Sequence, residues 1–165
     1  MVGRLLATKL SWAYIDLDQW IEGRWGETIS QMVKKGGWEL FRERERQALA
    51  QALRGDDKSF VVACGGGAVL HKDLWTKIRA DSLVIWLKAS VDTIIKRMGH
   101  DPTTVSSRPS LKTGMSLKEE VLETLSERQP LYKAFCHDVI ETDQLSPEEV
   151  ADRIMKVIKE EAGAR

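Results

Sequence analysis

Asp16 and Asp18 stand two residues apart at the end of the apolar stretch "WAYIDLD", residues 12–18. In a strand, residues two apart face the same side, so these carboxylates are expected to point together. A pair of carboxylates at a strand end suits a divided task. One holds a metal ion or its water shell, and the other engages a substrate hydroxyl. A solvated strand terminus is the competing reading. Further on, "FRERERQAL" (41–49) puts Arg42 and Glu45 three residues apart on one helical face. A carboxylate there can orient a guanidinium whose free edge grips a substrate carboxylate bidentately. The same spacing also suits a solvated face of ion pairs. Arg128, in the helical "SERQPLY" (126–132), reads by itself as a surface arginine.

The stretch "VVACGGGAVL" (61–70) ends an apolar run in three glycines and resumes at once with apolar residues. Linker glycines have polar neighbours. Glycines between apolar runs instead mark a tight strand-to-helix turn, or a place where something approaches the main chain closely. "GHDPTTVSSRPSLKTGMS" (99–116) is poor in apolar residues and rich in Gly, Pro, Ser and Thr. A loop of this length inside a compact domain is a lid or a mobile surface segment. As a lid, it would carry Arg108 over a pocket, where an arginine stabilises the charge of a transferring phosphate.

The elements that must position these residues are legible as a pattern. Strands are expected at 12–18, 59–65, 82–90 and 138–143, and their continuous apolar character suggests strands covered on both faces. Helical patterns run over 21–25, 29–33, 38–53, 72–80, 91–98, 117–135 and 147–161, with Ser116, Ser146 and Asp92 in capping regions. "VGRLLATKLSW" spaces Val2, Leu5, Leu6 and Leu10 as a helix directly ahead of the first strand. Strands alternating with helices imply a three-layer α/β sandwich around a parallel sheet. Ligands bind such folds beyond the carboxyl ends of the strands, where Asp16, Asp18, Gly65, Gly66 and Gly67 stand.

Composition bounds the function. A chain of 165 residues suggests one domain. Lys plus Arg and Asp plus Glu number 25 each, so no global field attracts nucleic acid or an anionic membrane, and anion recognition must be local. Apolar residues at 42% and charged residues at 30% describe a soluble globular protein. No apolar stretch spans a bilayer and no signal-peptide pattern opens the chain, which places it in the cytoplasm. Cys64 and Cys136 read as small buried residues of a reducing compartment, without metal-ligand spacing to the three histidines.

Taken in order, "IDLDQWIE", "ELFRERE", "ACGGGAVL", "RPSL" and "SERQPLY" resemble the motifs of the shikimate kinase family, among the P-loop phosphotransferases related to nucleoside-monophosphate kinases. The resemblance runs from about Gly3 to the last helix. It implies an ATP-dependent phosphorylation of the shikimate 3-hydroxyl by a monomeric single domain (1–165) with a lid at about 99–116. It also implies roles. Asp18 would hydrogen-bond the shikimate hydroxyls and act as base. Asp16 would hold the Mg²⁺ water shell. Arg42, Gly65, Gly66, Gly67 and Arg128 would cradle shikimate, with Glu45 fixing Arg42. Arg108 would reach the phosphates from the lid, and Arg97 would lie beside the adenine. The departure is equally specific. The family's phosphate loop ends in Gly-Lys-Ser/Thr, and no glycine here is followed by lysine. The expectation is that the family's first strand, of ~5–6 residues and central in its sheet, and a loop of about eight residues are absent from this chain. A gluconate- or nucleotide-kinase-like enzyme and a binding module without catalysis are the alternative readings. The arginine pair and the triplet speak against a nucleobase pocket.

Overall fold

The computed structural model describes residues 1–52, 59–100 and 114–163. Helix α1 (Val2–Leu10) leads into strand β1 (Ala13–Asp16), followed by α2 (Leu17–Trp25) and α3 (Ile29–Ala52). Strand β2 (Phe60–Ala63) is followed by the glycine triplet, a single 3₁₀ turn (Ala68–Leu70) and α4 (Lys72–Asp81). Then come β3 (Ile85–Lys88), α5 (Val91–His100), α6 (Leu117–Phe135), β4 (Asp138–Glu141) and α7 (Pro147–Gly163). Among the described residues no helix is long and apolar enough to cross a membrane.

The strands pair in parallel, as the α/β pattern predicts. β1 runs beside β2 from Ala13↔Phe60 to Asp16↔Ala63, and β3 beside β4 from Ile85↔Asp138 to Lys88↔Glu141. Among the described residues the sheet layer is these two pairs, and no ladder joins β2 to β3. Apolar packing connects them instead. Leu6 of α1, Ile140 of β4 and Val150 and Ile154 of α7 form one cluster, with Val61 of β2 and Ile85 of β3 packed against it. A salt bridge of 2.8 Å from Lys9 to Asp152 closes the α1–α7 contact.

A second cluster lies under the functional residues. Leu17, Ile21, Met32, Phe41, Ala48, Leu49, Ala68, Trp75 and Ile78 bring α2, α3, α4 and the 3₁₀ turn together. Burial of each large apolar side chain here contributes roughly 1.5–3 kcal/mol. The stretches read as separate helices at 29–33 and 38–53 form one element with a break at Gly36–Gly37, where Gly37 has φ +68°. Only glycine adopts that conformation without cost.

Helix starts follow local chemistry. Ser116 and Glu119 form a reciprocal capping box at the start of α6. At α7, Ser146 Oγ accepts from the Glu149 N–H at 3.2 Å, and the Glu149 carboxylate accepts from the Ser146 N–H at 2.7 Å. At α5 the cap is Ser90, whose Oγ accepts from the Thr93 N–H, and Asp92 lies in the first turn.

One expectation for the site is corrected by the fold. The first strand does not extend to Asp18. It stops at Asp16, whose carboxylate caps α2 by accepting from the Gln19 N–H at 3.3 Å. Asp18 therefore stands in the first turn of a helix, and the alternation of strand faces does not relate the two carboxylates. The cap wins because a helix N-terminus offers unsatisfied N–H groups exactly one turn ahead of an aspartate able to accept from them.

Candidate active site

The three glycines after β2 are met by three different functional elements. A Cβ built on Gly65 would lie 3.5 Å from both Asp18 carboxylate oxygens. One on Gly66 would lie 2.9 Å from the Tyr132 hydroxyl and 3.8 Å from Arg128 Nη1. One on Gly67 would overlap the Arg42 guanidinium. None of the three has a positive φ. Gly66 and Gly67 are thus required for close approach rather than for an unusual backbone, Gly65 leaves an ordinary contact, and protein side chains already occupy that approach. The turn is fixed by Ala68 N–H donating to Gly65 O at 3.1 Å and by the Trp75 indole donating to Ala68 O at 2.7 Å.

Arg42 and Glu45 meet as their spacing on α3 predicts: Arg42 Nη1 donates to Glu45 Oε2 at 2.5 Å. Glu45 is almost fully buried, and its Oε2 also lies 3.0 Å from His71 Nε2. The Arg42 guanidinium carbon lies 5.4 and 5.1 Å from the ring centres of Trp38 and Phe41, a cation–π arrangement that holds the fork from one side. Arg128 of α6 is buried, which the reading as a surface arginine does not allow for.

Asp18 is an unusual acid. Burial pushes its pKa up to about 6, helped by the carboxylates of Glu45, Asp16 and Glu22 and opposed by Arg42. A carboxylate tuned this way is ionised at neutral pH and still basic enough to take a proton. Asp16 has a different environment, its second oxygen accepting from the Tyr14 hydroxyl at 3.1 Å. The tyrosine proton is held more tightly in consequence, through burial first and the Asp16 charge second.

Two further residues are expected at the nucleotide and not in this cluster. Arg97 of α5 donates to Thr142 Oγ1 at 2.9 Å and to Thr142 O at 2.6 Å, just past the carboxyl end of β4. No contact joins it to the Asp18–Arg42 cluster among the described residues. Arg108 and most of the expected lid lie outside the described residues. Cys64 corrects the expectation of burial, being solvent-accessible, and Cys136 is half-buried. The protein around the Cys64 sulfur and the carboxylates of Glu45, Asp18 and Asp16 nonetheless push its thiol up to about 12, so it stays protonated.

Sequence reasoning missed His71 and Tyr132. His71 carries no motif, and only the fold brings it to Glu45. Tyr132 had a usable signal, since it follows Arg128 by four residues and so shares its helix face.

Parallel βα units, with a tuned carboxylate and a carboxylate-anchored arginine beyond the ends of β1 and β2, are consistent with an α/β phosphotransferase of the P-loop kinase type. The chain belongs to the shikimate kinase family, whose model matches residues 1–159. It is 37% identical over 160 residues to shikimate kinase 2 of Yersinia enterocolitica, covering 97% of this chain and 88% of that protein. To the shikimate kinase of Syntrophus aciditrophicus it is 36% identical over 162 residues, covering 94% and 82%. Among solved structures it is similar to the shikimate kinase from Acinetobacter baumannii in complex with shikimate. The TM-score is 0.87 at 29% identity, over 97% of this chain and 86% of that one. The shikimate kinase from Aquifex aeolicus shares the fold, with a TM-score of 0.76 at 22% identity, over 98% of this chain and 89% of that one.

Proposed function

We propose that this protein transfers a phosphoryl group from ATP to the 3-hydroxyl of shikimate, a step of aromatic amino-acid biosynthesis by way of chorismate. One observation carries the reading for these residues: Asp18, Arg128 and Arg42 each meet one glycine of a single triplet. Shikimate is a small ring bearing one carboxylate and several hydroxyls. Two arginines suit the carboxylate and a raised-pKa aspartate suits the hydroxyls, and the glycines let these side chains close in on the end of β2 together. In this reading Asp18 accepts a hydrogen bond from the reacting hydroxyl and takes its proton as the new P–O bond forms and the bond from the γ-phosphorus to the departing ADP breaks. Glu45 keeps Arg42 aimed at the substrate carboxylate.

Asp16 is the residue that would hold Mg²⁺, and its surroundings fit an indirect role. Each of its oxygens already accepts one protein hydrogen bond and retains a further lone pair. Among the described residues no group of three or more His, Cys, Asp or Glu is placed to enclose a metal. Mg²⁺ usually keeps several waters and takes only one or two carboxylates beside substrate phosphates, so a water-mediated Asp16 is sufficient. When bound, the ion neutralises phosphate charge. Arg97 and Arg108 are assigned to the nucleotide on the resemblance, and the protein is read as a cytoplasmic monomer of one domain.

The test separates acceptor binding from turnover, because no Gly-Lys-Ser/Thr occurs in this sequence. Calorimetric titration should give saturable shikimate binding that quinate-sized acids lacking the matching hydroxyl pattern do not reproduce. With ATP and Mg²⁺, a protein that also presents a phosphate loop should form shikimate 3-phosphate, read by ³¹P NMR. Failure of the folded chain to bind shikimate at millimolar concentration would sink the proposal.

A further inference from the structure

The carbonyls of the glycine triplet are all engaged inside the protein. Gly65 O accepts from the Ala68 N–H at 3.1 Å, and Gly67 O from the Leu70 N–H at 3.0 Å. Both bonds belong to the local turn. Gly66 O is different, because its partner is the Tyr132 hydroxyl, 2.7 Å away and 66 residues on in the chain. The N–H groups of Gly65, Gly66 and Gly67 have no acceptor among the described residues. The triplet therefore turns its acceptors toward the protein and leaves its donors for something else.

We infer that Tyr132 is a positioning residue for the acceptor site, its hydroxyl locking the Gly66–Gly67 peptide so that the triplet presents donors to the substrate. The inference rests on the proposed shikimate reading. Its geometry comes from the peptide itself. The bond is trans, so with Gly66 C=O aimed at Tyr132, the Gly67 N–H points to the opposite side. A freely turning peptide at a glycine pair would spend part of its time with the carbonyl facing the substrate, where it would repel a carboxylate. The lock also has a backing. The Tyr132 ring packs against Trp86 of β3, with ring centres 5.3 Å apart. Arg128 lies one helical turn before Tyr132, so the side chain that meets Gly66 and the side chain that fixes Gly66 move as one face of α6. Thus α6 sets both the arginine and the backbone opposite it.

Tyr132→Phe removes the hydroxyl and keeps the ring. Shikimate affinity should fall about 2- to 13-fold, the worth of one hydrogen bond, and the melting temperature by no more than about 6 °C, since the same bond is present in the free protein. A second variant probes the contact directly. Gly66→Ala places a Cβ 2.9 Å from the hydroxyl, so its penalty on shikimate binding should be clearly smaller in the Tyr132→Phe background than in the parent. Equal affinity of Tyr132→Phe and parent overturns the inference. So does an additive Gly66→Ala penalty, or a loss of melting temperature without a loss of affinity. A parent that binds no shikimate defeats the functional proposal, and this positioning role with it. Binding by the parent that Tyr132→Phe leaves unchanged defeats the positioning role alone.

Discussion

Glu45 and Arg42 form a pair with unequal environments. The carboxylate side chain is 1% exposed and the guanidinium 21%, joined at 2.5 Å. The buried partner is held by two neighbours and the partly exposed one keeps an edge toward solvent, which is the arrangement that aims a guanidinium outward. His71, at the cap position just before α4, meets the same Glu45 oxygen and tightens the anchor.

Arg42→Lys should weaken shikimate binding roughly 10- to 150-fold, the range for a charged hydrogen bond. Lysine keeps the charge but has no planar fork to share between Glu45 and a substrate carboxylate. Calorimetry with shikimate and with nucleotide should show the loss for shikimate alone. An equal loss for both would point to damage in α3.

Gly67→Ala and Gly65→Ala should behave differently despite identical chemistry. At Gly67 the new methyl overlaps the Arg42 guanidinium, and Glu45 leaves that group little freedom to retreat. At Gly65 the methyl meets Asp18 at 3.5 Å, an ordinary contact. The expected result is a loss of shikimate affinity of at least 10-fold for Gly67→Ala, comparable to Arg42→Lys. Matching affinities for the two alanine variants would show that Arg42 does not need the Gly67 space.

Asp18→Asn should cut phosphoryl transfer by about 10²–10⁴, the usual contribution of a positioned acid or base. The measurement belongs in a form of the protein that turns over, with circular dichroism confirming the fold. Turnover within threefold of the parent would remove Asp18 from the proton transfer.

The same substitution should reveal the cost of ionising Asp18 through the pH dependence of stability. Its folded pKa is raised from 3.8 to about 6, so the protonated form is favoured by folding. That stabilisation is fully present below about pH 3.8 and is lost as pH rises through about 6. Relative to Asp18→Asn, the parent should therefore lose stability between about pH 4 and 6.5 and then level off, by at most about 3 kcal/mol. Calorimetric melts of both proteins from pH 4 to 8 would read it. A difference independent of pH would mean that Asp18 is not desolvated in the folded state.

What the residues determine locally was legible without a fold. α6 runs over Leu117–Phe135 as its pattern predicts, and Ser146 caps α7, because capping and helical periodicity involve partners at most a few residues away. Arg42 and Glu45 also meet as expected, since three residues on a helix are neighbours whatever surrounds them. The family resemblance likewise rests on motif order along the chain.

The tertiary structure decided what depends on distant partners. Asp18 looked like the end of a strand, and the helix begun by the Asp16 cap moved it onto α2. Glu45 meets His71 across 26 residues, and Gly66 meets Tyr132 across 66. The triplet announced close approach in its composition, but not what approaches. Arg42 and Tyr132 reach it only once α3 and α6 pack over the end of β2, and burial among those elements is also what lifts the Asp18 pKa. Periodicity and capping are written in neighbouring residues. Desolvation and cross-chain contact depend on where separate elements come to rest.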